Sequence, residues 1–140
     1  MLMKIRAGYH LFLSLILIAA CQQKTPEQKY DLPAEAITAS DAVNCIGETK
    51  MVCGEVVRAV YYWWFRGQPT YIKLDKSHPK QILTVVIWGT DRQKFGIPPE
   101  NRFINKTICV TGLIEEEDGI PQVIVSSPLQ IKILAPSGRE

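Results

Sequence analysis

Lys50-Met-Val-Cys-Gly-Glu-Val-Val-Arg-Ala-Val-Tyr-Tyr-Trp-Trp-Phe-Arg66 is the stretch on which the fold turns. Met51 to Tyr62 is rich in β-branched and aromatic residues and is longer than an ordinary flat strand. Gly54 interrupts it, and glycine inside a strand marks a bulge or a sharp bend. The pattern Val52-x-Gly54-x-Val56 returns as Val110-x-Gly112-x-Ile114. Two long strands with glycine at the same place in an apolar alternation predict a small barrel that coils tightly at those glycines. The first of them runs into Tyr61-Tyr62-Trp63-Trp64-Phe65-Arg66, five aromatics and then a cation. Successive side chains on a strand point to opposite faces, so one core face cannot take all five rings. Some of them are expected at the surface.

Downstream, Arg66-Gly67-Gln68-Pro69 reads as a turn. A second strand is expected over Thr70–Asp75, with Ile72 and Leu74 inward and Tyr71, Lys73 and Asp75 outward. Lys76-Ser77-His78-Pro79 is again turn chemistry. The third strand, Ile82–Trp88, is nearly all apolar and needs cover on both faces or a binding surface on one. Its outward candidates are Thr84, Val86 and Trp88. Gly89–Asn105 reads as an irregular crossing with a helical turn at Asp91–Phe95. The fourth strand is Thr107–Glu116, Asp118-Gly119 is a hairpin signal, and the fifth strand is Gln122–Val125. Ser127-Pro128 breaks it, and Leu129–Leu134 adds a last extended piece. Upstream, Ile37–Gly47 reads as one short helix, capped by Thr38 or Ser40 and closed by Gly47. The order is helix, three meandering strands, a crossing and a hairpin. That predicts an all-β, five-stranded Greek-key barrel of the OB type, in which the fourth strand returns to lie beside the first.

The chain begins with a different kind of segment. Lys4 and Arg6 precede Leu11–Ala20, an apolar run too short to span a bilayer and about right for a signal peptide. It ends Ile18-Ala19-Ala20-Cys21, which looks like a bacterial lipobox, with Cys21 acylated as the mature N-terminus. The alternative is ordinary secretion with cleavage nearby. Gln22, rather than Asp, then implies the outer membrane if the cell has one. Residues 1–20 are thus expected to be a lipoprotein signal peptide, 21–35 a polar tether, 36–134 the barrel and 135–140 a tail.

The whole chain carries 16 Lys and Arg against 14 Asp and Glu. Losing Lys4 and Arg6 leaves 14 against 14, which disfavours a generic electrostatic nucleic-acid binder. The charge is uneven, however. Between Arg58 and Lys106 nine cations face only Asp75, Asp91 and Glu100, while Glu115-Glu116-Glu117-Asp118 concentrates negative charge. Cys53 and Cys109 alternate with the Val/Gly/Val face of their strands. If those strands are neighbours the two cysteines share a face and can pair, with Cys45 the spare thiol.

A resemblance now joins these readings. Gly47-Glu48, Val52-Cys53-Gly54-x-Val56, Gly67-Gln68-Pro69-Thr70, Val85-Val86-Ile87-Trp88-Gly89, Phe95-Gly96, Ile108-Cys109-Val110-Thr111-Gly112 and Gly119-x-Pro121-Gln122-x-Ile124-Val125 follow one another. Together, over residues 36–133, they resemble small exported bacterial OB-fold domains described as nucleic-acid-binding. The resemblance implies the barrel and implies that Cys53 and Cys109 recur as a pair. Cys45 departs from it, since that family more often has an aromatic residue or His there.

Catalysis is poorly supported. His78 is the only histidine left once His10 departs with the signal, and it stands in a turn. No Ser/His/Asp or Cys/His set assembles around it. Glu115–Asp118 reads as a solvated hairpin tip rather than a metal site, because neighbouring carboxylates on a strand diverge. No cofactor and no metal are expected. The candidate ligand-binding residues are Trp63, Trp64, Phe65 and Arg66 in the first loop, Tyr71 and Lys73 on the second strand, and Trp88 at the end of the third. Such a face suits single-stranded DNA or RNA, with bases on aromatic platforms and cations along the phosphates. The rival is an envelope adaptor that offers the same face to a protein or peptide. The acidic hairpin favours that rival. The membrane is the remaining partner, reached through the lipid on Cys21.

Overall fold

The computed structural model describes residues 30–76 and 82–136. His78, Cys21, the signal segment and most of the expected tether lie outside those residues. Strands β1 (Ala36–Thr38), β2 (Thr49–Tyr61), β3 (Thr70–Leu74), β4 (Leu83–Ile87), β5 (Thr107–Glu117), β6 (Ile120–Ile124) and β7 (Ile131–Leu134) account for most of the order. Two short helices, α1 (Gly89–Arg92) and α2 (Pro99–Phe103), lie between β4 and β5.

The expected long strands are β2 and β5, and each changes partner half-way. Thr49–Glu55 of β2 pairs antiparallel with Thr107–Leu113 of β5. From Val56 onward β2 pairs with β3, and from Ile114 onward β5 pairs with β6. Each switch falls two residues after a glycine of the repeated pattern. A Cβ on Gly54 would stand 3.1 Å from the Leu74 Cβ and 3.0 Å from Asp75 Oδ1. A Cβ on Gly112 would stand 2.7 Å from Val123 Cγ1. The glycines therefore let one strand bend closely over the next. The extra residue of β2 is not at Gly54 but between Val56 and Arg58, where the register with β3 shifts. That bulge sharpens the same bend.

Antiparallel β3–β4 and parallel β4–β6 pairing closes the circuit β2-β3-β4-β6-β5 and back to β2. This is the five-stranded Greek-key barrel of the OB type. β1 runs parallel to β2 and β7 antiparallel to β5, covering edges that the barrel strands leave open. One interior row runs Ile72, Val85, Val123, Ile114 across four strands. Val52, Val56, Leu74, Leu83, Ile87, Ile108 and Val110 belong to the same core. Each such side chain contributes about 1.5–3 kcal/mol on burial. Phe95 and Phe103 pack edge to face, with centroids 6.1 Å apart, and belong to the same core.

Two local expectations are corrected. The segment 37–47 is not a single helix: Ile37 lies in β1, and a 3-10 helix covers Ala39–Cys45. Ala39, Ala42 and Cys45 are all fully buried, and their spacing of three matches the eclipsed side chains of a 3-10 turn. Thr38 does cap it, accepting from the Asp41 backbone N–H at 3.3 Å. The crossing also holds an unforeseen helix, α2, which begins at Pro99 where a missing N–H costs nothing.

Cys53 and Cys109 are bonded, directly opposite each other in register with Cα atoms 4.0 Å apart. They lie outside the barrel in a satellite cluster with Ala36, Tyr30, Leu32, Met51 and Leu134. Tyr30 donates its hydroxyl to the Cys53 carbonyl at 3.3 Å. Burial, then Asp75 and Glu55, push that phenol up to about 12. Cys45 is not the spare thiol that was expected. It is fully buried in the barrel core, and the described residues include no free cysteine.

Candidate functional site

The loop joining β2 to β3 is built as a small folded unit. Tyr62 N–H donates to the Pro69 carbonyl, Phe65 N–H to Tyr62 and Gln68 N–H to Phe65, all at 2.9–3.0 Å. The Gln68 side chain donates to the Trp63 carbonyl at 3.1 Å. Gly67, at φ 78°, bonds the start of α1 through Gly89 N–H and has the Trp88 ring against it. A Cβ there would stand 2.9 Å from Trp88 Cε3. Trp88 thus packs on this loop from the end of β4 while part of its ring stays exposed.

Arg92 clamps the neck of the loop. Tyr61 and Thr70 face each other as the last and first pair of the two strands. The Arg92 guanidinium lies 3.8 Å from the Tyr61 ring centroid and donates to Thr70 Oγ1 at 2.9 Å. It also forks onto both carboxylate oxygens of Glu100 on α2. Burial works against the charged Glu100, but the Arg92 hydrogen bonds prevail and hold its carboxyl below the ordinary glutamate value.

Above this neck the rings stand out. Trp63, Trp64 and Phe65 are 64%, 60% and 58% exposed. Tyr62 is the hub, with ring centroids 5.4 Å from Trp64, 6.2 Å from Phe65 and 5.3 Å from Tyr71. Trp63 meets Trp64 edge to face at 5.6 Å. Tyr71 thereby joins the loop cluster to the sheet. Burial first, then Tyr62 and Glu117, raise its phenol above the ordinary value.

Strand register lays out the adjoining outer face in rows. One row is apolar: Val60, Tyr71, Val86 and Ile124 on β2, β3, β4 and β6. The next is polar: Arg58, Lys73, Thr84, Gln122 and Glu115, on β2, β3, β4, β6 and β5. Thr84 and Val86 point outward as expected, yet both are buried beneath their neighbours. Lys73 donates to Thr84 Oγ1 at 2.9 Å and lies 5.1 Å from the Tyr71 ring centroid. Burial first and Arg58 second lower its pKa below the ordinary lysine value. Among the described residues no ion pair engages Arg58, Arg66, Glu115 or Glu117. The face therefore carries uncommitted cations on its β2–β3 side and uncommitted carboxylates on its β5–β6 side.

The structure brings Trp63, Trp64, Phe65, Tyr71, Lys73 and Trp88 into one region, with the exposed Arg66 on the same loop. The sequence reading missed Arg58, Gln122, Glu115 and the positioning residue Arg92. Alternation along β5 and β6 carried a signal for Glu115 and Gln122, since Ile114 and Val123 are unmistakably inward. No group of three or more His, Cys, Asp or Glu among the described residues is placed to hold a metal.

No protein-family model matches the chain, and no curated protein matches it. Among solved structures it is similar to one described as an aspartyl-tRNA synthetase from Leishmania major Friedlin, at 9% identity and a TM-score of 0.48. That match covers 82% of this chain and 24% of the other, so the chain spans about a quarter of the length of that relative.

Proposed function

We propose that this is a lipid-anchored envelope protein without catalytic activity, whose barrel binds single-stranded nucleic acid. The observation that carries this reading is the hydrogen-bonded loop that holds Trp63, Trp64 and Phe65 out beside Tyr71, with Lys73, Arg66 and Arg58 nearby. Stacking on such rings is worth about 1–3 kcal/mol per base and accepts any base. Arg58 and Lys73 stand opposite each other in register, which puts two cations side by side on β2 and β3 for a phosphate backbone to meet. Titration with short single-stranded oligonucleotides at low salt is expected to quench tryptophan emission. Trp63→Ala or Trp64→Ala weakens binding by a stacking-sized amount while the barrel stays folded. Absence of binding by the folded protein at low salt overturns the reading.

A second reading is favoured by Glu115 and Glu117 on the same face: an adaptor that takes a basic or apolar peptide. Salt separates the two. Phosphate binding weakens steeply with ionic strength, and an apolar protein contact does not.

The anchor is proposed at Cys21, from the apolar run that precedes it. Acylation of that thiol and a bond from it to Cys45 exclude each other, so a peptide map that joins Cys21 to Cys45 refutes the anchor. Cys21→Ser is expected to move the protein from the membrane fraction to the soluble fraction and to remove the acyl mass. A wild-type N-terminus elsewhere without acyl mass refutes it.

A further inference from the structure

We infer that the carboxylate side of the outer face selects among bases: Glu115, with Gln122 beside it, takes amino groups on base edges, favouring cytosine over uracil or thymine. This rests on the nucleic-acid reading above. The polar row Arg58, Lys73, Thr84, Gln122, Glu115 crosses five strands, and four inter-strand gaps make roughly 19 Å. A phosphodiester backbone is attracted to the Arg58–Lys73 end and repelled from the Glu115 end. The repulsion is reinforced by Glu117, which follows Glu115 on the same face of β5. The strand is therefore held with its phosphates over β2 and β3. Its bases, pointing away from their own backbone, then extend over β4 toward β6 and β5.

An ionised carboxylate only accepts hydrogen bonds, and a glutamine amide both donates and accepts. Cytosine offers an amino group to such acceptors, and Glu or Asp is its recognised partner. Adenine and guanine also carry amino groups. Uracil and thymine flank their single edge N–H with carbonyl oxygens, which a carboxylate repels. Glu115 is half-buried and has no ion pair among the described residues, so its acceptor capacity is uncommitted. Gln122 lies opposite it in register, and Thr84, next in the row, is already engaged by Lys73. Stacking and backbone flexibility alone favour pyrimidine runs as a class, so a ranking of cytosine over uracil or thymine within that class has to come from the base edge.

The test uses the mature full-length protein, with oligodeoxycytidine and oligodeoxyuridine of equal length at neutral pH and low salt, read by fluorescence anisotropy. The two ligands share phosphates and differ in their base edges. Oligodeoxycytidine is expected to bind about tenfold more tightly, the size of one base-edge hydrogen-bond pair. Glu115→Gln is expected to bring the two within about twofold, by strengthening uridine binding more than it weakens cytidine binding. Equal binding by the wild type, tighter uridine binding, or a ratio unchanged by Glu115→Gln overturns the inference and leaves the nucleic-acid reading standing. Failure of either oligonucleotide to bind the folded protein overturns both.

Discussion

Arg92 touches Tyr61 with its flat face, Thr70 with one N–H and Glu100 with its fork. Lysine keeps the charge but lacks the planar fork, so Arg92→Lys loses the stacked, bidentate geometry. The expected cost is about 1.5–3 kcal/mol in urea unfolding, the size of hydrogen bonds to charged partners. Oligonucleotide affinity is expected to fall as well, because the neck of the aromatic loop is released. Glu100 gives this clamp a pH signature. Its folded carboxyl is held below the ordinary value by Arg92, against the effect of burial. The associated stability is therefore full above the ordinary glutamate pKa and fades as pH falls through the lower folded value. Glu100→Gln is expected to be less thermally stable than wild type at neutral pH, with the gap closing in acid. A gap that persists unchanged at low pH refutes the ionic origin. None of this was legible in the sequence, since Tyr61, Thr70, Arg92 and Glu100 meet only through tertiary pairing. Trp63, Trp64 and Phe65 were legible, because five rings in a row exceed what alternation can bury.

β2 and β5 were legible for a similar reason: each is too long for one flat pairing and carries glycine two residues before its change of partner. Gly112→Val places side-chain atoms where Val123 already stands, starting from a Cβ at 2.7 Å. Overpacking of that kind is expected to destabilise by about 1–3 kcal/mol in urea unfolding. The same two strands carry Cys53 and Cys109, 56 residues apart. Closing that loop is worth about 4 kcal/mol in the chain-entropy view. The Cys53→Ser, Cys109→Ser double variant is expected to unfold at correspondingly lower urea, and a non-reducing peptide map to join those two cysteines. A map that bridges Cys45 to either of them refutes the pairing. The smaller elements were misread where two periods compete. Ala39, Ala42 and Cys45 recur every three residues, which a short window does not separate from an α-helical face. Pro98-Pro99 reads as a break, although its second proline is the first residue of α2.

Circular closure assembles a face that no single strand contains. Arg58 and Glu115 are 57 positions apart, yet they become the two ends of one row once β2, β3, β4, β6 and β5 are in register. The sequence showed that positive charge gathers in one half and negative charge in Glu115–Asp118, and the barrel reading set that acidic hairpin beside the same cleft. The row that joins Arg58 to Glu115, however, needs the strand register. That arrangement sets how strongly salt governs binding. Arg58, Arg66 and Lys73 are the cations of the face, and three phosphate contacts on a single strand give a log–log salt slope of about −2. A generic basic binder with many more contacts shows a much steeper dependence. Arg66→Ala and Lys73→Ala are each expected to flatten the slope by about 0.7 when one phosphate contact is lost. Glu117→Gln removes a repelling charge without adding a phosphate contact. It is expected to tighten binding at low salt and to leave the slope almost unchanged. A slope near zero in the wild type, with affinity intact, means that no phosphate is held. The Trp63–Phe65 loop then meets an apolar or peptide partner instead.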